Sequence, residues 1–216
     1  MMAQAIREWV CICTLPPKEL SICNTVPDIV DFKMGVAKLK AKMGVEEYLY
    51  GEQVSRVKHE YVGGDVYARA AASAMHNIIS SNLAILLREH LKGSNCDAFF
   101  LDMRLRVSPE AFYHPDVFVS CDEAPKSAFY RESPVLVIEV VSLSTRQIDR
   151  REKLKAYQSI PSVREYVLIE QDKMHIELHR RQPDGGWITH FYDRNDLDVD
   201  IEFTSVELKT NLEAIY

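Results

Sequence analysis

The 216-residue sequence has few cysteines, and they follow no recognised pattern. The five are Cys11, Cys13, Cys23, Cys96 and Cys121. Their number is odd and no two of them have the C-x-x-C spacing, so neither a disulfide framework nor a zinc knuckle is indicated. We therefore expect reduced thiols and a cytoplasmic protein.

The sequence also lacks a long apolar run and an excess of positive charge. No apolar stretch reaches the roughly 18 to 20 residues that a membrane span requires, so we expect no membrane partner. A candidate signal segment, Trp9 to Leu15, is short and runs into Pro16-Pro17, which argues against secretion. The net charge of −6 argues against a strongly basic nucleic-acid binder but is compatible with a local cationic groove.

Two parts of the chain differ in pattern. Residues 1–33 hold three of the five cysteines and three prolines without a regular period. We interpret them as a disordered extension or as the product of a start site assigned too far upstream, because Met34 opens a start-like segment. Residues 34–216 are predicted to form a single domain, since 47% hydrophobic residues can bury a sizeable core.

Hydrophobic periodicity predicts alternating groups of helices and strands. Helices are predicted over 46–54, 73–92 and 145–159, with Ile78, Ile79, Leu83, Leu86, Leu87 and Leu91 as the apolar stripe of the second. Strands are predicted over 58–62, 65–68, 97–101, 103–107, 114–120, 135–141, 165–170, 175–180 and 187–192, and a strand with a terminal turn over 199–216. This order predicts an α+β (mixed α/β) fold layered around one sheet.

Two of the predicted strands each carry a carboxylate within an apolar run. Asp116 follows Pro115 and precedes Val-Phe-Val, and Glu139 is preceded by four apolar residues and followed by two. A charge in such a position is costly to bury unless it is paired or binds a metal. Two buried carboxylates on neighbouring strands are suitable ligands for a hard divalent cation.

The motifs around these two residues resemble the Uma-type restriction endonuclease group of the PD-(D/E)xK nuclease superfamily. They are Val45-Glu46-Glu47-Tyr48, His59 to Tyr67, His76, Pro115-Asp116-Val117, Leu136 to Ser142, Ser144-Thr145-Arg146, Asp149 to Tyr157, Ser162 to Tyr166 and the ending Leu212 to Tyr216. The resemblance covers about residues 43 to 216. It implies a restriction-endonuclease-like core, with a central mixed sheet flanked by helices, and hydrolysis of DNA.

The resemblance also implies roles for individual residues. Asp116 and Glu139 would hold Mg²⁺ (or Mn²⁺), with the carbonyl of Val140 as a further ligand, and Glu60 would complete or orient the metal sphere. Val141 stands where the superfamily has its lysine. Lys153 is the best replacement, because Asp149, Lys153 and Tyr157 share one face of the following helix. Lys153 would then position or help deprotonate the attacking water.

Each of these residues also has a purely structural interpretation. Asp116 could shape a turn, Glu139 could pair with an arginine in the core, and Lys153 could belong to a solvated helix face with local ion pairs. Glu60 could be an ordinary hairpin glutamate, and a histidine near a helix start, such as His76, is more often structural than catalytic.

The segment after the Glu139 strand also indicates which partner the protein binds. The basic residues Arg146, Arg150, Arg151, Lys153 and Lys155 could hold DNA phosphates beside the site. A homodimer is left open. Because Val141 replaces the lysine and the net charge is negative, the alternative is a nuclease-fold protein with little or no activity that binds nucleic acid or a protein partner.

Overall fold

The computed structural model describes residues 42–69, 71–122 and 124–216. The predicted extension over residues 1–33 lies outside the described residues. The helices are α1 (Val45–Val54), α2 (Ala74–His90), α3 (Arg146–Ile148), α4 (Leu154–Gln158) and α5 (Leu212–Ile215), with a π-helical turn (Asp149–Lys153) between α3 and α4. In the described part of the chain, no helix is both long enough and apolar enough to cross a membrane.

The strands in chain order are β1 (His59–Val62), β2 (Asp65–Ala68), β3 (Asp97–Phe100), β4 (Arg104–Ser108), β5 (Ala111–Tyr113), β6 (Val117–Ser120), β7 (Tyr130–Arg131), β8 (Pro134–Val141), β9 (Glu165–Glu170), β10 (His175–Arg181), β11 (Trp187–Asp193), β12 (Ile201–Phe203) and β13 (Leu208–Thr210). The predicted α+β class is confirmed. The expectation of one sheet is wrong, because the strands form two large sheets and a separate β12–β13 hairpin.

The larger sheet is mixed and has the order β11-β10-β9-β8-β6-β3. Its central pair, β8 and β9, is parallel, whereas β6 pairs with β8 in the antiparallel sense. One face packs against α2, the β12–β13 hairpin and α5, and the other packs against Tyr157 and Ile160 from the α4 region. Strand β8 is therefore covered on both faces, which explains its almost continuous apolar sequence.

The smaller sheet has the order β2-β1-β5-β4-β7 and packs Tyr61 and Phe112 against Tyr48 of α1. Its strands β5 and β7, of three and two residues, were not predicted. Segments this short show no periodicity that could distinguish them from a loop.

Helix α2 begins after Ser73, whose side-chain oxygen accepts a hydrogen bond from the backbone N–H of His76 at 3.1 Å. Ile79, Leu83 and Leu87 are buried against the larger sheet as predicted. Ile78, which the sequence analysis placed on the same stripe, is 46% exposed. Ile78 is rotated by about 100° around the helix axis from Ile79, which turns its side chain away from the sheet.

The cysteine prediction is wrong for one pair, because Cys96 and Cys121 form a disulfide. Strands β3 and β6 are antiparallel, with Asp97 opposite Ser120, so the two cysteines just beyond this pair also face each other. They are separated by 25 residues in sequence. Only the strand pairing, which the sequence does not display, brings them together.

Candidate active site

The pairing of β6 with β8 brings the two sequence-predicted carboxylates to the same place. Val117 lies opposite Ile138, and the same antiparallel register places Asp116 opposite Glu139. Residues directly opposite in an antiparallel pair project to the same face of a sheet. Asp116 and Glu139 are both buried.

Asp116 is held by three donors from three parts of the chain. Its Oδ2 accepts a hydrogen bond from the Val140 backbone N–H at 2.8 Å. The same oxygen lies 3.1 Å from His76 Nε2. Its Oδ1 lies 2.9 Å from Nη2 of Arg69. Burial alone raises the pKa of Asp116, but the His76 hydrogen bond and the charges of His76 and Arg69 hold that pKa below its usual value. Asp116 is therefore an ionised ligand candidate.

Glu139 has a different environment. Its Oε1 accepts hydrogen bonds from Lys153 Nζ at 3.1 Å and from the Tyr157 hydroxyl at 2.8 Å. In the part of the chain that the structure describes, no donor contacts Oε2. Burial raises the pKa of Glu139 to about 8, although the charge of Lys153 acts in the opposite direction. The carboxylate thus lacks sufficient compensating positive charge.

Lys153 lies at the centre of the site. Its Nζ is 2.9 Å from Glu60 Oε1, 3.1 Å from Glu139 Oε1 and 3.5 Å from Asp149 Oδ1. Burial lowers the pKa of the ammonium, but the charges of Glu139, Glu60 and Asp149 outweigh this and raise the pKa well above its usual value. The charged form of Lys153 is therefore favoured, and the interpretation of it as a solvated helix residue is wrong because its side chain is only 7% exposed.

One π-helical turn supplies two residues of the site. Asp149 and Lys153 are the first and last residues of this turn, and both are buried. A π-helical turn inserts one extra residue in the helix and is frequent at functional sites. Tyr166 fixes the start of the turn, because its hydroxyl donates to the Asp149 carbonyl at 3.1 Å.

Glu60 joins the smaller sheet to the site. It lies on β1, and its Oε1 accepts a hydrogen bond from the His114 backbone N–H at 3.3 Å in addition to contacting Lys153. The predicted residues Asp116, Glu139, Lys153 and Glu60 are thus brought together at one site. Val140 contributes its backbone N–H to Asp116.

Two residues that contact Asp116 were not predicted as site residues from the sequence. Arg69 was not identified at all, and His76 was interpreted as more often structural than catalytic. His76 follows the helix start that Ser73 caps, and a histidine in that position was the available signal. Arg69 had no such signal, since it simply follows strand β2, and only the three-dimensional pairing places it on Asp116.

The residues present suit a hard divalent cation, although they do not form a complete metal centre. Among the described residues, no group of three or more His, Cys, Asp or Glu side chains is arranged to hold a metal ion. The oxygens of Asp116 and Glu139 are nevertheless the donor type that Mg²⁺ prefers. The raised pKa of Glu139 indicates that further positive charge would stabilise its ionised form.

The predicted basic cluster is not a continuous phosphate-binding surface. Arg146 and Arg150 lie 2.7 Å and 2.6 Å from the carboxylate oxygens of Glu170, and Arg150 also lies 2.6 Å from Glu177. Lys153 is buried in the site. Within the described chain, only Arg151 and Lys155 of this cluster are exposed and outside an ion pair.

Three comparisons relate the chain to other proteins. It is 34% identical over 177 residues to an uncharacterised protein of Synechocystis sp., covering 81% of this chain and 92% of that protein. A second uncharacterised Synechocystis protein is 33% identical over 168 residues, covering 75% and 93%. A solved structure described as a putative nuclease belonging to DUF820, from Anabaena variabilis, shares the fold with a TM-score of 0.63 at 18% identity, covering 80% of this chain and 97% of that chain.

A family model identifies the same family that the motifs around Asp116 and Glu139 resemble. The Uma2 model, described as "Putative restriction endonuclease", matches residues 45–212, which span both sheets and every site residue named above. The chain therefore belongs to the Uma2 family.

Proposed function

We propose that this protein is a Mg²⁺-dependent endonuclease that hydrolyses phosphodiester bonds of DNA, with Asp116, Glu139, Lys153 and Glu60 as its active-site residues. The observation that carries the proposal is one buried lysine in contact with Glu60, Glu139 and Asp149, beside an ionised Asp116. A purely structural core has little reason to bury so many carboxylates, because each is costly to remove from water.

Asp116 and Glu139 would hold Mg²⁺ or Mn²⁺, with the Val140 carbonyl as a further ligand. When bound, the ion supplies charge that polarises the phosphate and lowers the pKa of a coordinated water. The Val140 N–H and His76 orient the Asp116 carboxylate, and Tyr157 orients that of Glu139. Such fixed orientation spares the reorganisation that flexible ligands would need.

Lys153 would position the attacking water and offset negative charge as the reaction proceeds. Its ammonium lies between Glu60 and Glu139, so it can act in place of the lysine that Val141 has displaced. Its strongly raised pKa favours a role as a charged, orienting donor rather than as a free base.

The test is cleavage of a supercoiled plasmid by the purified protein over a titration of Mg²⁺ and of Mn²⁺. We expect metal-dependent nicking or linearisation that EDTA abolishes. Glu139→Gln should lose the activity, whereas Glu213→Gln, an exposed residue on α5, should retain it. Equal activity of the Glu139 variant and the parent would refute the assignment of the site.

The alternative is a nuclease-fold protein that binds nucleic acid without cleaving it. It is supported by the contacts of Asp116, since Arg69 and His76 occupy both carboxylate oxygens. Plasmid binding without cleavage at any concentration of either metal would favour this alternative.

A further inference from the structure

We propose that Arg69 binds the phosphate group that is to be cleaved. This inference rests on the proposed phosphodiesterase function and adds the group that recognises the substrate. Four observations lead to it: the burial of Lys153 among carboxylates, the spare donors of Arg69, the exposure of Arg69 and the engagement of the other nearby cations.

Lys153 is poorly placed to bind a substrate phosphate. Its Nζ donates a hydrogen bond to Glu139 Oε1 at 3.1 Å. Three carboxylates already surround Nζ, at 2.9 Å, 3.1 Å and 3.5 Å, and the side chain is only 7% exposed. A phosphate contact would require Lys153 to leave a buried carboxylate unpaired, which is strongly unfavourable.

Arg69 has donors to spare. A guanidinium group carries five N–H donors in a planar fork that matches a phosphate. In the described structure, its ion pair is the contact from Nη2 to Asp116 Oδ1 at 2.9 Å. Its backbone is fixed at the end of the β1–β2 hairpin, because its N–H donates to the Lys58 carbonyl at 2.9 Å.

Arg69 also lies at the accessible side of the site. Its side chain is 29% exposed, whereas that of Asp116 is 7% exposed and that of Glu139 is 4% exposed. Its Nη2 nevertheless reaches Asp116 Oδ1, at 2.9 Å. A phosphate arriving from solvent would therefore meet Arg69 before the buried carboxylates.

The other nearby cations are already engaged or buried. His76 contacts Asp116, Arg104 is buried, and Arg146 and Arg150 are paired with Glu170. Near Asp116, Arg69 is thus the cation in the described part of the chain that is both partly exposed and supplied with spare donors for a phosphate.

The experiment compares Arg69→Met and Arg69→Lys with Arg88→Met, a control of equal charge change at an exposed position in the last turn of α2. The first readout is binding of a fluorescent DNA duplex in Ca²⁺, with the duplex shown by gel to remain intact. Arg69→Met should bind about tenfold or more weakly. Its plot of log affinity against log salt should lose about one unit of slope, as expected for one lost phosphate contact.

The second readout is the cleavage of phosphorothioate duplexes in which sulfur replaces one or the other non-bridging oxygen. Arg69→Met should change the ratio of the two rates, because one oxygen has lost its donor. Arg69→Lys should keep the salt slope but not the parent ratio, since an ammonium cannot form the two-pronged contact. Arg88→Met should match the parent in both readouts.

The outcomes separate this inference from the proposed function. An unchanged salt slope and an unchanged rate ratio in Arg69→Met would overturn the role of Arg69 while leaving the nuclease intact. If the parent cleaves no DNA, the proposed function fails, and the binding measurement alone decides whether Arg69 contacts phosphate. Thermal unfolding of each variant shows whether a loss reflects misfolding, and Arg69→Lys retains the charge beside Asp116 in case Arg69→Met does not fold.

Discussion

The ammonium group of Lys153 lies 3.1 Å from Oε1 of Glu139, although 14 residues separate the two in sequence. Glu139 lies on the buried strand β8, and Lys153 is the last residue of the π-helical turn that follows this strand. The turn places the Lys153 side chain next to Glu139. The position two residues after Glu139 is Val141, which is completely buried in the apolar layer around Tyr157 and Tyr166. The cation in contact with Glu139 is thus a lysine of the helical segment after β8, whereas position 141 holds a buried valine.

Lys153→Met should abolish cleavage while sparing metal binding. The methionine preserves most of the aliphatic stem, so the fold should persist, but Glu60, Glu139 and Asp149 lose their shared cation. We expect the cleavage rate to fall by at least about a hundredfold, the usual effect of losing one positioned electrostatic group. Plasmid cleavage gives the rate, and calorimetric titration with Mn²⁺ gives the metal affinity.

The matched control for this substitution is Lys209→Met, at an exposed position on β13. It removes the same charge from the molecule and should leave cleavage unchanged. The Lys153 variant should also be less stable than the control, by about 3 to 5 kcal/mol for a broken buried pair. Full activity in Lys153→Met would exclude Lys153 as the substitute for the missing lysine.

Glu139 should make stability depend on pH in the metal-free protein. Burial raises its pKa from 4.5 to about 8, so the folded state keeps a proton that the unfolded state has released. The stabilising contribution of protonated Glu139 is therefore complete below about pH 4.5 and is lost as pH rises toward 8. The loss has a maximum slope of about 1.4 kcal/mol per pH unit.

The measurement is the free energy of unfolding of the parent and of Glu139→Gln between pH 5 and 8. Subtraction removes contributions that both proteins share, such as the buried His114, whose pKa is lowered to about 2 by burial and neighbouring cations. The parent should lose stability relative to the variant as pH rises. A constant difference across this range would show that Glu139 does not keep its proton in the fold.

The burial and proximity of the candidate-site residues were more predictable from sequence than the contacts around them. Asp116 and Glu139 stand out because apolar residues on both sides imply burial, and Lys153 because its helical spacing from Asp149 and Tyr157 implies one face. Arg69 could not be found this way, since its contact with Asp116 depends on how the two sheets meet. The same limit applies to Cys96 and Cys121, whose contact depends on the register of β3 with β6.

Removal of residues 1–33 should leave the thermal midpoint nearly unchanged. Their aperiodic, cysteine-rich sequence predicts little contribution to a packed core, and the Uma2 match begins only at residue 45. Differential scanning calorimetry of the full chain and of a chain starting at Met34 compares the two directly. A drop of several degrees in the shortened chain would show that the segment packs against the domain.

The Cys96–Cys121 disulfide should stabilise the domain by joining β3, at the edge of the larger sheet, to the loop that follows β6. A link between residues 25 positions apart lowers the conformational entropy of the unfolded chain. In the chain-entropy model this stabilises the folded state by about 3 kcal/mol. Cys96→Ser and Cys121→Ser should therefore unfold at lower denaturant concentrations than the parent. A reducing agent should lower the stability of the parent to a similar level and leave both variants unaffected.

A thiol count of the unfolded, unreduced chain should find two fewer free cysteines than the sequence contains. If that count equals the number of cysteines in the sequence, the bond is absent, and the stabilities of the parent and its variants should then be insensitive to reduction.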